Sequence, residues 1–292
     1  MRLVVLRNSI SGRAAGRRAV DELVLRLGSA GHETNVREVN RSMPRDEELV
    51  IALRSAVALI VAGGDGTVHH VAPLAMEAGV PLVQFPLGTE NLFSREFGIS
   101  SIPCILSALE RMKPRKVDVG VCAARPFLLM ASVGFDSCVV ERVAAARRGG
   151  ISHATYARHC ASEFVRPRFV SLSIRVDGRV LVAERAGMVV IANSRQYAGR
   201  LNPARGASMT DGVLDVLFLP IDSRVGLVRR ALQVMRGTHL GHYGVPYALG
   251  TDIVIVPKSP VPLQLDGEHA GVLPAAEELH IGIRPLAMSV LT

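Results

Sequence analysis

Two short stretches of this chain combine residue types that could do chemistry. In Gly63-Gly64-Asp65-Gly66-Thr67 a carboxylate and a hydroxyl sit among glycines, where the apolar run Val57 to Ala62 ends. Glycines let backbone N–H groups approach an anion closely, and a following helix start adds a favourable dipole, so the stretch suits phosphate. Asp65 repels bare phosphate; it makes sense with a divalent cation between it and a nucleotide. In Asp266-Gly267-Glu268 two carboxylates flank a glycine just after the apolar run Val261 to Leu265. Locally, Asp-Gly in that position reads as a hairpin turn.

The elements that must position these residues follow from hydrophobic spacing. Leu3 to Leu6 reads as a first strand, Asn8 to Gly12 as a polar turn and Ala14 to Leu27 as a helix ended by Gly28 and Gly31. His32 to Val39 reads as a second strand and Pro44 to Ala56 as a helix, with Asp46, Glu47 and Glu48 suited to its N-terminal end. Val57 to Ala62 is a third strand, with a helix from Val68 to Ala78. Pro81 to Phe85 is a fourth, leading to a second glycine turn at Pro86-Leu87-Gly88-Thr89 and helices at Asn91 to Phe97 and Cys104 to Met112. This alternation predicts a doubly wound parallel sheet with helices on both faces, whose ligands bind at the carboxyl ends of strands.

From about Lys116 strand signals dominate: Lys116 to Cys122, Phe127 to Val133, Phe169 to Val176, Arg179 to Val190, Val213 to Leu219, Asp252 to Val256, Val261 to Leu265 and Leu279 to Ile283. Asp177-Gly178 marks a hairpin, and helical insertions lie at Ser137 to Phe164 and Arg224 to Arg236. The expectation is an α/β nucleotide-binding domain over 1–119 and a β-rich sandwich over 120–292. Ala287 to Leu291 either form a strand or pack back on the first domain.

The chain has 292 residues, 49% hydrophobic, enough for two modest cores, and no apolar run of the length of a membrane span. Met1 to Leu6 is too short to read as a signal peptide, so a cytoplasmic protein that meets membranes only peripherally is expected. The cysteines Cys104, Cys122, Cys138 and Cys160 show no metal or disulfide spacing and read as reduced, buried thiols. A net charge of +8 points to nucleic acid, anionic lipid or phosphorylated ligands. With 4% aromatic residues, no tryptophan and no helix-turn-helix or zinc-finger spacing, nucleic acid is excluded as the expected partner. Arg142, Arg147, Arg148, Arg158, Arg166 and Arg168, with His153 and His159, crowd the long helical insertion, opposed by Glu141 and Glu163. Such a face would suit an anionic membrane surface; it would equally suit water. Arg229, Arg230 and Arg236 form a second, weaker basic cluster, and a homodimer is left open.

Gly63 to Thr67 resembles the GGDGT signature of the diacylglycerol kinase catalytic-domain family, which includes sphingosine and ceramide kinases and is distantly related to NAD kinases. Further blocks follow in the family's order. Asn8 to Gly12 resembles "N-x-x-S-G", Pro86 to Arg95 resembles "P-x-G-T-x-N-D-F-A-R", and Asp118-Val119-Gly120 resembles "D-x-G". Gly134-Phe135-Asp136 resembles "G-F-D", Ala207 to Val216 resembles "A-x-x-x-D-G-x-L-D-V", and Asp266-Gly267-Glu268 resembles the late "D-G-E".

The resemblance implies an ATP- and Mg2+-dependent lipid kinase that phosphorylates a lipid hydroxyl, diacylglycerol foremost or a sphingoid or ceramide-type lipid. The alternatives are an NAD-kinase-like enzyme with a soluble substrate and a non-catalytic nucleotide- or lipid-binding protein. It implies a phosphate cradle from Asn8, Ser11, Gly12, Arg13, Gly63, Gly64, Asp65, Gly66, Thr67, Gly88, Thr89 and Asn91. Asp65, with Asp118 in support, would serve the metal side, and Ser208, Asp211 and the Val213 carbonyl match a second, structural Mg2+ position. Asp266 would be the general base and Glu268 its assistant. The chain departs from the family at Leu92, where a carboxylate is usual, at His69 and His70 in place of Asn-Glu, and at the lone Gly199 of a usually glycine-rich turn.

Overall fold

A computed structural model describes residues 1–8, 14–39, 47–146, 153–197, 201–242 and 244–292. In chain order the elements are β1 (Arg2–Asn8), α1 (Ala14–Ser29), β2 (Glu33–Val39), α2 (Glu47–Arg54), β3 (Ala58–Gly63), α3 (Asp65–Ala78), β4 (Leu82–Pro86), α4 (Leu92–Glu96), α5 (Ile102–Arg111) and β5 (Pro114–Cys122). They continue as β6 (Arg125–Phe127), β7 (Met130–Val133), α6 (Phe135–Ala145), α7 (His153–Val165), β8 (Ser171–Val176), β9 (Arg179–Ala192), β10 (Leu214–Pro220), α8 (Arg224–Arg236), β11 (Tyr247–Gly250), β12 (Asp252–Pro257), β13 (Val261–Leu265), β14 (Glu268–Leu273) and β15 (Leu279–Leu291).

Two compact units result, one of residues 1–117 with 286–292, the other of residues 118–285. In the first, β1 lies between β2 and β3, β3 pairs with β4, and all of these pairings are parallel. The far end of β15 adds to β4, Val290 beside Leu82. The inner strands β1, β3 and β4 are apolar on both faces because helices cover them, whereas the edge strand β2 is polar and largely exposed. Leu3, Val5, Ile60 and Val83 pack with Val20, Leu23 and Leu27 of α1 and Ile105, Ala108 and Leu109 of α5, with Leu291 in the same core.

In the second unit β9 is long enough to serve two antiparallel sheets. Its first part pairs with β8, which leads to β12 and the start of β15. Its second part pairs with β7 on one side and β10 on the other, leading to β13 and β14 and to β11. Alternate residues face inward, as a sandwich requires: Leu172 and Ile174, Val189 and Ile191, Ile253 and Ile255, Leu263 and Leu265 share one core. The outer faces of β9 and β10 carry a second core, where Met188, Val190, Leu217 and Leu219 meet Leu227 and Val234 of α8.

Several boundaries differ from the sequence reading, each for a local reason. α3 begins at Asp65, so Asp65, Gly66 and Thr67 form its first turn instead of a preceding loop. The strand expected over 127–133 breaks at Leu128-Leu129, whose amides are diverted to a carboxylate described below. The long helical insertion is two helices, α6 and α7. β11 and β14 were not expected; β14 carries Gly271 in its middle and exposes Val272, so its apolar residues do not alternate with burial. Ala287 to Leu291 do both things expected of them, as strand residues of β15 that belong to the first unit. Cys104 and Cys160 are only partly buried, and all four cysteines are free thiols.

Candidate functional site

From β1 the chain passes to β2 on one side, and β3 lies on the other, so the gap between the carboxyl ends of β1 and β3 is a topological switch point. Asn8 ends β1, and its amide Nδ2 donates to Thr67 Oγ1 at 2.9 Å, across that gap. The Gly63–Thr67 turn follows β3, and Pro86 to Asn91 follow β4. The two glycine turns touch: a Cβ on Gly88 would lie 2.6 Å from Gly64 Cα and 2.9 Å from Asn91 Oδ1. No residue but glycine allows that approach. Asn91, in the left-handed region at φ 51°, clamps the second turn. Its Oδ1 accepts from Gly88 N–H at 2.8 Å and its Nδ2 donates to the Gly88 carbonyl at 2.9 Å.

Asp65 opens α3 behind an N-cap, Gly64, that contributes no side-chain bond. Its Oδ1 accepts the Phe93 N–H at 3.0 Å, tying α3 to α4. Gly64, Asp65 and Gly66 are half-buried while Gly88 and Thr89 are exposed, so the rim of these turns is open to a ligand. One carboxylate beside a glycine turn at a helix start is a donor set that would suit Mg2+, which keeps waters and takes few protein oxygens. Leu92, where a second carboxylate could have stood, is buried. Ser11, Gly12 and Arg13 lie outside the described residues, as do Arg147, Arg148 and Gly199.

In the second unit Asp266 and Gly267 are the central residues of the β13–β14 hairpin, at φ 50° and 79°, which matches the local reading. The Asp266 side chain turns away from the solvent side of that hairpin and is buried. Leu128 N–H donates to its Oδ2 at 2.8 Å; Leu129 and Met130 N–H donate to its Oδ1 at 2.7 and 3.0 Å. Three backbone donors leave the carboxylate one orientation. Glu268 opens β14, half-buried, on the other side of Gly267. Behind the turn, Gln264 Oε1 accepts Gly267 N–H at 2.6 Å, and Gln264 Nε2 donates to Asp136 Oδ2, which also takes the Ser132 hydroxyl at 2.7 Å.

Asp118 is fully buried, and its Oδ2 accepts Gly212 N–H at 2.8 Å, which joins it to the Ser208–Val213 loop. Within the loop, Asp211 Oδ1 accepts Val213 N–H at 3.2 Å and the Ser208 hydroxyl lies 3.2 Å from that of Thr210. The loop's donors are all oxygens, the chemistry of a hard cation. Nearby Asp215 is buried, and burial pushes its carboxyl up despite the hydrogen bond it accepts from the Tyr247 hydroxyl. Among the described residues no three His, Cys, Asp or Glu side chains converge as a metal cluster, and His69 and His70 belong to none.

Asn193, Gln84 and Gln264 were missed by sequence reasoning. Gln84 Nε2 donates to the Gly63 carbonyl at 3.0 Å and its Oε1 accepts Ser94 N–H at 2.7 Å, joining the first glycine turn to α4. Asn193 Nδ2 donates to the carbonyls of Asp118 and Leu128, linking that aspartate's strand to the Asp266 cradle. The signal was available for the glutamines, each an amide inside an otherwise apolar strand. Gln264→Ala is expected to lower kcat about tenfold, the size of one lost hydrogen bond, with nucleotide affinity unchanged. Gln264→Glu, which keeps the acceptor for Gly267, should fall between; equal kcat and unchanged affinity in all three would remove Gln264 from the site.

The basic helical insertion is partly neutralised. Glu163, fully buried, binds both Arg142 and Arg168, and Glu141 binds Arg168 at 2.8 Å, while Arg158 and Arg166 stay exposed.

Residues 2–122 match the family described as the diacylglycerol kinase catalytic domain, and residues 130–292 match the YegS C-terminal NAD kinase beta sandwich-like domain. A Pseudomonas aeruginosa protein named "Probable lipid kinase YegS-like" is 32% identical over 72% of this chain and 70% of its own length. A diacylglycerol kinase of Bacillus subtilis is 25% identical over 92% of this chain and 90% of its own. The chain spans only 51% of a longer uncharacterized Synechocystis protein to which it is 28% identical. In fold it resembles a crystal structure of a diacylglycerol kinase from Bacillus anthracis, with a TM-score of 0.70, 16% identity, and 99% of this chain and 96% of that one covered.

Proposed function

Because the chain belongs to the diacylglycerol kinase catalytic-domain family, lipid kinases that transfer phosphate to an alcohol group, we propose that its acceptor is diacylglycerol and that ATP is the donor. The observation that carries the reading is the pair of abutting glycine turns at the switch point, with Asn8, Asp65 and Thr67 around them. Their N–H groups and the first turn of α3 cradle the phosphates. Asp65, with Asp118 in support, would hold Mg2+, which would neutralise phosphate charge there. Ser208, Asp211 and the Val213 carbonyl would hold a second, structural cation.

In the transfer itself the acceptor oxygen attacks the γ-phosphorus, the bond from that phosphorus to the β–γ bridging oxygen breaks, and ADP leaves. The hydroxyl proton goes to Asp266, whose orientation the three amides set; Glu268 assists. The acceptor is reached from a membrane on the cytoplasmic side.

The test is transfer of labelled γ-phosphate to a panel of purified lipid alcohols in mixed micelles with Mg2+. Label in diacylglycerol is expected. Label only in a sphingoid base or ceramide would replace the acceptor, and label only in a soluble nucleotide cofactor would replace the lipid reading altogether.

A further inference from the structure

α8 has two apolar faces, and the fold uses one. Leu227 and Val234 are buried against β9 and β10. On the opposite side Val225, Val228, Leu232 and Met235 recur at spacings of three and four residues, a continuous stripe along the helix. They are exposed by 79%, 44%, 41% and 67%. Scattered apolar residues on a surface need no account, but an aligned stripe on one helix does. The helix is not frayed: Ser223 Oγ accepts Gly226 N–H at 3.1 Å at its start, and Gly237 closes its end at φ 65°. The patch continues onto α7, because the Arg224 guanidinium donates to the Val165 carbonyl, and Phe164 and Val165 are exposed there.

Charge decides what covers it. α8 contains Arg224, Arg229, Arg230 and Arg236 and no acidic residue. Arg224, Arg229 and Arg236 are exposed, and the nearest carboxylate along the chain is Asp222, just ahead of the helix. A second copy docked symmetrically by this face would set arginine rim against arginine rim. An anionic bilayer satisfies both features, taking the aliphatic groups into its interface and the guanidinium groups among its head groups.

We propose that the outer face of α8, with the end of α7, seats this protein on anionic membrane. The inference rests on the lipid-kinase reading only for its purpose; the surface itself is argued from exposure and charge.

The experiment is co-sedimentation of the full chain with phosphatidylcholine vesicles, with and without phosphatidylglycerol, in the absence of ATP. Wild type should partition to the anionic vesicles at least about tenfold better than to neutral ones. The pair Leu232→Glu and Met235→Glu, and separately the pair Arg229→Gln and Arg236→Gln, should each lose about tenfold of that binding, with unchanged thermal midpoint and ATP affinity. Transfer to a short-chain diacylglycerol dissolved as monomers should stay at the wild-type rate, while transfer to vesicle-borne diacylglycerol falls with binding. Unchanged vesicle binding in both pairs would overturn the surface. So would a wild-type dimer in light scattering that becomes monomeric in the pairs without loss of vesicle binding. Vesicle binding as expected, with no transfer to any lipid, would overturn the proposed function and support the surface.

Discussion

Asp266→Asn is expected to reduce phosphoryl transfer on the order of 10²–10⁴-fold, the contribution of a positioned general base. ATP affinity should stay at the wild-type value, because the residue belongs to a hairpin of the second unit and the glycine turns belong to the first. Asparagine is close to isosteric, and its one carbonyl oxygen can still accept from Leu129 and Met130, as Oδ1 does now. Its amide nitrogen would then face the Leu128 N–H, donor against donor. A buried N–H left without an acceptor costs about 1–3 kcal/mol, so a lowered thermal midpoint is part of the expected result. Single-turnover transfer, measured well below that midpoint beside an independent nucleotide-binding titration, separates the chemical loss from the structural one. Turnover near normal would show that another group takes the proton.

Gly88→Ala should have the second largest effect, and on the opposite quantity. The added methyl would sit 2.6 Å from Gly64 Cα and 2.9 Å from Asn91 Oδ1. Gly64 Cα is backbone, fixed by the Thr67 and Val68 amides that bond its carbonyl, so it cannot turn aside as a side chain would. The two turns must separate, at a strain of about 1–3 kcal/mol for overpacking. Nucleotide affinity should fall about tenfold or more, read by calorimetry with a non-hydrolysable ATP analogue and Mg2+, while vesicle binding is unaffected. Gly28→Ala is the control: it lies in α1 with nothing within 4 Å of the added carbon, and should be neutral or stabilising by up to about 1 kcal/mol. Equal affinities for both variants would move the phosphates away from these turns.

What the sequence discloses here is what neighbours along the chain decide. The inner parallel strands of the first unit, β1, β3 and β4, are short apolar runs that stand out because each is buried on both faces. α8 was legible to its end residues, since a serine cap and a closing glycine bracket it. The Asp266-Gly267 turn was legible as a hairpin, and its φ values are those of one. What no local pattern could supply is the partner of its carboxylate, which comes from Leu128 to Met130, more than a hundred residues earlier in the chain. That contact also explains the misread strand, because amides committed to Asp266 cannot serve a ladder. Asn193 was overlooked for the same reason, since it joins segments far apart in sequence, whereas Gln84 and Gln264 stood out as amides in apolar strands and only their partners were hidden. The bond that Asp118 accepts from Gly212, 94 residues later, is likewise one that no local pattern announces.

β15 begins in one unit and ends in the other: Ile281 pairs with Ile253 of the second, and Val290 with Leu82 of the first. The nucleotide-binding unit therefore includes residues 286–292, and Leu291 stands in the core that Leu3 and Val5 line. A polypeptide is made from its N-terminus. Leu3 and Val5 are made long before Leu291, their partner in that core. The α/β unit is begun before the second unit and completed after it, and through that interval its β4 edge and its core lack their final neighbours. Cutting the gene after residue 117 would thus yield the same unfinished object that translation passes through, an α/β unit without its last strand.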